Sequence, residues 1–135
     1  MYMKKFLLIL SMAFCVLTSF APASTEGDVA WIVDPLVKTI RVEEKVSIKV
    51  TAYGIYGKFT DIHLDYTVET EGQFGLSNFK ISENGDDYIF NLDAIGFETG
   101  TFVIKLNLYG SYNHNGVKTF NQSKTVVITV IDSSI

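Results

Sequence analysis

Asp61, His63 and Asp65 are the nearest approach to a chemical constellation in this 135-residue chain. Residues two apart on a strand share a face, so the three would stand together with ligand types that suit a divalent metal. Same-face neighbours stand side by side instead of converging tetrahedrally. The three are also the polar half of an alternating run whose other half is Ile62, Leu64 and Tyr66, and the solvated strand is the preferred reading. Glu83, Asp86 and Asp87 surround Asn84-Gly85 with carboxylates that could hold calcium. Their spacing lacks the D-x-[DN]-x-[DN]-G order of a calcium loop, so they read as a wet hairpin tip. No metal ligand is assigned.

Covalent catalysis has little to draw on. There is no G-x-S-x-G, the lone cysteine is Cys15, and His63 and His114 are the two imidazoles. A nucleophile needs an activating base beside it, and no pattern supplies one. Carboxylate pairs for glycoside cleavage are assembled in space, so spacing leaves them open; the chain is nonetheless read as non-enzymatic, with no catalytic residue and no cofactor. Asn121-Gln122-Ser123 matches the glycosylation sequon and receives no role.

Two aromatic clusters suggest recognition instead. Tyr53, Ile55, Tyr56 and Phe59 lie around Gly54 and Gly57, and Tyr109, Tyr112 and His114 lie among glycine, serine and asparagine. Rigid amphipathic rings beside small polar residues give contact area at low entropic cost. Tyr56, Phe59, Tyr109, Tyr112 and His114 are therefore the candidate binding residues. The competing reading is that Tyr53 and Tyr109 cap the core and Phe59 plugs its open end.

The elements that must position these residues are strands. From Ala30 onward the hydrophobic period is two, and no window makes a credible amphipathic helix. Val46, Ile48, Val50 and Ala52 alternate with polar residues; so do Ile62, Leu64, Tyr66 and Val68. Tyr88, Phe90 and Leu92 form one inner face, and Phe102, Ile104, Leu106 and Leu108 another. Leu76 to Ile81 is a weaker strand, and Thr125 to Ile131 is rich in β-branched residues that favour extended backbone. Asn84-Gly85 and Asn115-Gly116 predict tight hairpins. Pro35 should split a first strand into two short pieces at a sheet edge. About seven short antiparallel strands describe a β-sandwich. In it the loops after the second, fourth and sixth strands share an end, which gathers the aromatic clusters.

The first 23 residues read as a secretory signal. Lys4 and Lys5 precede the apolar run Phe6 to Phe20, and Ala21-Pro22-Ala23 offers small residues for cleavage. The run is short for a bilayer span, which takes about 20 apolar residues. Residues 24–135 then form one domain, without a membrane span or a disulfide. Its net charge falls from −4 to −6 once Lys4 and Lys5 leave with the leader, and that balance argues against nucleic acid or anionic lipid as partner. Lipidation at Cys15 is the alternative, although Phe14 before it is large where that cleavage wants a small residue. Retention by an uncleaved leader is another. Periplasm or cell exterior is the expected location.

Glu98-Thr99-Gly100-Thr101-Phe102-Val103-Ile104 resembles the frame in which immunoglobulin-type domains enter their sixth strand. The resemblance places Phe102 at the corner tyrosine, Ile104 at the second cysteine, Ile48 or Val50 at the first, and Leu64 or Tyr66 at the third-strand tryptophan. It implies a disulfide-free bacterial version of the fold and no activity. Val46-Ser47-Ile48-Lys49, Gly57-Lys58-Phe59-Thr60-Asp61, Tyr66, Glu71-Gly72-Gln73-Phe74-Gly75-Leu76 and Phe90-Asn91-Leu92 also resemble the TraQ-like family of small exported proteins of conjugative transposons. That resemblance implies an accessory protein of DNA transfer at the envelope, with no catalytic residues to carry over.

The sequence therefore predicts an exported immunoglobulin-like module that binds another envelope or surface protein. A carbohydrate-binding or adhesive module stacking sugars on Tyr56, Phe59, Tyr109 and Tyr112 is one alternative. A filament subunit that pairs through edge strands is the other.

Overall fold

A computed structural model describes residues 25–133; the leader reading over Met1 to Ala23, Cys15 included, lies outside the described residues. Every element is a strand: β1 (Thr25–Glu26), β2 (Ala30–Asp34), β3 (Val37–Arg41), β4 (Lys45–Tyr53), β5 (Phe59–Val68), β6 (Phe74–Asn84), β7 (Asp87–Gly96), β8 (Gly100–Asn113) and β9 (Val117–Ile131). They form two sheets. One runs β2-β4-β7-β6, and the other runs β9-β8-β5 with β1 and β3 both on the outer edge of β9. With β1 and β3 set aside, four strands face three, in the strand order of the immunoglobulin constant-type arrangement.

Two features of the sequence reading are corrected. The strands number nine among the described residues, and the sandwich is mixed, because β1 and β3 pair with β9 in parallel. Pro35 does split the first strand, but into different sheets: β2 pairs with β4, and β3 pairs with β9 from Val37↔Val127 onward. Proline has no N–H to continue a ladder, so the chain leaves one sheet there and joins the other. Alternation fixes which face of a strand is buried and carries no information on direction.

The core lies between the two sheets. Ile48 and Val50 of β4, Phe90 and Leu92 of β7, Ile104, Leu106 and Leu108 of β8, and Val126 and Ile128 of β9 are fully buried. The positions of the missing disulfide are thus filled by aliphatic side chains. Phe102 is buried and stacks on Phe74 with ring centroids 4.7 Å apart. Leu64 is buried while Tyr66 is 36% exposed, so the third-strand core position belongs to Leu64. The chain's one tryptophan, Trp31, is on β2, its indole N–H donating to Gln122 Oε1 at 2.9 Å.

Two bulges set the pattern of the edges. β5 shifts register against β8 between Phe59 and Asp61, and β6 shifts against β7 between Ser77 and Lys80. Asn78 in the second bulge has φ 57° and donates from Nδ2 to Asp93 Oδ2 at 2.9 Å. The inserted residue lets Leu76 and Phe79, three apart, both pack against the core. That break in period is why Phe74–Asn84 reads as a short, weak strand in the sequence.

Candidate functional site

Three loops meet at one end of the sandwich, between β4 and β5, β6 and β7, and β8 and β9. The β6–β7 hairpin is held against the first loop: the N–H of Gly54 donates to Asp87 Oδ1 at 2.9 Å, and Lys58 Nζ donates to Glu83 Oε1 at 2.8 Å. A Cβ on Gly54 would lie 2.3 Å from the Asp86 carbonyl oxygen, so only glycine allows this approach. The Lys58 ammonium, hydrogen-bonded to Glu83, holds that carboxyl below its usual range and is itself raised by the same contact. Both side chains are well exposed, at 59% and 50%, so the pair orients the hairpin more than it stabilises the fold. Glu83 and Asp87 are thereby turned to neighbouring groups. Among the described residues no three Asp, Glu, His or Cys side chains converge as metal ligands.

The five candidate binding residues divide into three groups. Tyr56 and His114 come together at the tip, their rings stacked with centroids 4.0 Å apart. Tyr56 is 46% exposed, and its ring also stacks on Tyr112 at 5.4 Å. Phe59 and Tyr112 lie in strands and are buried. Phe59 meets Tyr88, Tyr112 and Phe120 edge-on, at 6.0, 6.5 and 5.6 Å. Tyr109 is on neither loop. It lies within β8 opposite His63 of β5, the two rings stacked at 5.1 Å on the outer face of the sheet.

The reason lies in the length of β8, which continues to Asn113. Gly110 and Ser111 look like turn residues, yet they pair with Ile62 and Asp61. A Cβ on Gly110, where φ is 156°, would lie 2.1 Å from the Asp61 carbonyl oxygen, so glycine here serves the bulge. Asp61 Oδ1 lies 2.7 Å from His63 Nε2, while Asp65 pairs with Asn107 across the strands.

Around the Tyr56 ring the tip is apolar. Ile55 is 61% exposed and Val117, at the start of β9, 52%. Asp28 and Val29 join Tyr53, Ile55, Tyr56, Phe59 and Tyr112 around a shallow cleft with room for about one water molecule. Sites that enclose small ligands are far larger, roughly 300–1,000 Å³. The tip can therefore offer a surface and not a chamber.

No family model matches the chain, and no curated protein does, so the TraQ-like resemblance gains no support. Solved structures do match. Domains 1–6 of the surface layer protein SbsC align over 78% of this chain and 13% of theirs, at 16% identity and TM-score 0.52. A second structure, of SbsC domains 4 and 5, aligns over 78% of this chain and 45% of its own, at 18% identity and TM-score 0.49. The BIgI domain of beta protein from S. agalactiae, solved bound to CEACAM1, aligns over 78% of this chain and all of its own, at 15% identity and TM-score 0.46. The chain thus spans less than half of either SbsC structure. The likeness is one of fold: this is an all-β, two-sheet domain of the immunoglobulin-like kind.

Proposed function

We propose that this chain is an exported, non-enzymatic binding module of the cell envelope or surface, engaging another protein through the loop end at Ile55, Tyr56, His114 and Val117. The observation that carries the reading is Tyr56, half exposed yet held by ring contacts to Tyr112 and His114. An exposed aromatic fixed in advance loses little entropy on binding, and such rings dominate interface energetics. The apolar neighbours Ile55 and Val117 and the small size of the cleft beside them favour a protein surface over a small ligand. Export rests on the basic start, apolar run and small-residue ending of residues 1–23. A role in DNA transfer rests on the residue resemblance alone.

A photo-crosslinking residue at Ile55, expressed in the native host, tests the surface. It is expected to trap a discrete envelope partner, and Tyr56→Ser with His114→Ala is expected to weaken capture by ~1–3 kcal/mol while the domain stays folded. Full-strength capture by that variant would move the binding surface away from the tip.

A further inference from the structure

One flank of the sandwich leaves open backbone and apolar side chains together. β5 ends one sheet and β6 ends the other, so each presents unpaired N–H and C=O groups outward. The two edges meet at the rings of Tyr66 and Phe79, centroids 5.3 Å apart, and at the Lys58–Glu83 pair. Ile81 lies between Phe79 and Glu83 on β6. It pairs with fully buried Phe90 and shares its inner face, yet it is 55% exposed. With Tyr66 at 36%, the flank has apolar surface that nothing in the domain covers.

The two edges differ in what they can accept. β6 carries the bulge with Asn78 in the left-handed region, and a bulge interrupts further pairing. β5 keeps regular register from Asp61 to Val68. Its outward positions include Asp61 and Asp65, followed in the same phase by Glu69, all exposed, while Ile62 and Tyr66 share the phase of buried Leu64. The basic groups beside these acids are His63, bonded to Asp61, and Lys105, which pairs with Thr67.

We infer that the free edge of β5 is a strand-addition site for an extended partner segment that alternates apolar and basic residues. The apolar residues of such a segment extend the inner face past Ile62 and Tyr66 and cover Ile81. The basic ones stand beside Asp61 and Asp65. A second copy of this chain is a poor occupant. Antiparallel self-pairing centred on His63 sets Asp61 opposite Asp65, and like charges directly opposite destabilise a sheet. Centring on Leu64 avoids that opposition but still gathers both pairs of aspartates on one face.

The test uses a synthetic peptide of alternating valine and lysine, with two controls: valine alternating with glutamate, and the same valines and lysines in two blocks. Hydrogen exchange and amide chemical shifts follow residues 61–68, with light scattering on the free protein. The alternating lysine peptide is expected to protect β5 amides and to bind about tenfold more tightly than the glutamate peptide, from two cross-strand charge pairs. Asp61→Lys with Asp65→Lys should reverse that preference, and Ile81→Arg, at an exposed site, should weaken both peptides. Equal binding of the block peptide, protection on β6 or the loop tip instead, an unchanged preference in the charge-reversed variant, or a free protein already dimeric through β5 would each overturn the inference.

Discussion

The hydroxyl of Tyr112 donates a hydrogen bond of 3.1 Å to the backbone carbonyl of Asp28. It ties the segment between β1 and β2 to the far end of β8. Gly27 next to it is packed so closely that a Cβ would lie 2.3 Å from that hydroxyl oxygen. Tyr112→Phe keeps the buried ring and loses the bond, so it should cost about 1 kcal/mol in chemical denaturation. Tyr112→Ser empties a core position and should cost about 3–5 kcal/mol. Equal losses in the two variants would mean that the ring contributes nothing beyond the bond.

Ile104 and Lys105 test the sandwich itself. Ile104 is fully buried and Lys105, its neighbour on β8, is exposed. Ile104→Ala should therefore lose about 2–5 kcal/mol, and Lys105→Ala should stay within about 0.5 kcal/mol. Urea unfolding followed by tryptophan fluorescence reads both, since Trp31 is buried.

The Lys58–Glu83 pair gives the β6–β7 hairpin a pH dependence of definite sign. The Glu83 carboxyl is lowered, first by its hydrogen bond to Lys58 and then by that charge. Its contribution is present above the usual carboxylate range and is lost as pH falls through the depressed value. Lys58 is raised by the same partner, so its share is present below the ordinary lysine range and vanishes only in strong alkali. Carboxyl NMR titration should find Glu83 ionising below an ordinary glutamate, and Lys58→Met should return it upward. An unshifted Glu83 in the parent protein would mean the hairpin is not held by this pair.

The alternating strands were the most legible part of the sequence, because a half-buried strand writes its inner face into every second residue. Ile48, Val50, Ile104 and Leu106 were readable for that reason, as were the hairpins at Asn84-Gly85 and Asn115-Gly116. The parallel pairing of β3 was not, since register and direction depend on which edge is free once the other strands have assembled. At the tip, Tyr56 and His114 were legible by composition. That Tyr112 and Phe59 lie in strands was not legible, because aromatics beside glycine and serine look alike in a loop and beside a bulge. Only the Asp61 carbonyl packed against Gly110 tells the two apart, and that contact joins residues distant in sequence.

Gly110 and Gly75 should respond to alanine in opposite directions. At Gly110 the backbone has φ 156° and an added Cβ would lie 2.1 Å from the Asp61 oxygen. The obstacle is backbone, which cannot rotate away, so Gly110→Ala must open the β5–β8 bulge or abandon its conformation, at a cost of roughly 1–3 kcal/mol from backbone strain alone. Gly75 on edge strand β6 has no positive φ and nothing within 4 Å of the added carbon. There alanine restricts the unfolded chain without touching the folded one, and should be neutral or stabilising by about 0.4–1 kcal/mol. Denaturation midpoints of the two variants, compared at equal m-values, measure the contrast. Because Gly110 packs beside the β5 bulge that sets where Tyr112 enters the core, Gly110→Ala should also loosen the Tyr56–His114 stack, visible as a change in the His114 ring shifts. A Gly110→Ala protein as stable as the parent would show that β8 does not run unbroken past Ile62, and would return Tyr112 to the loop.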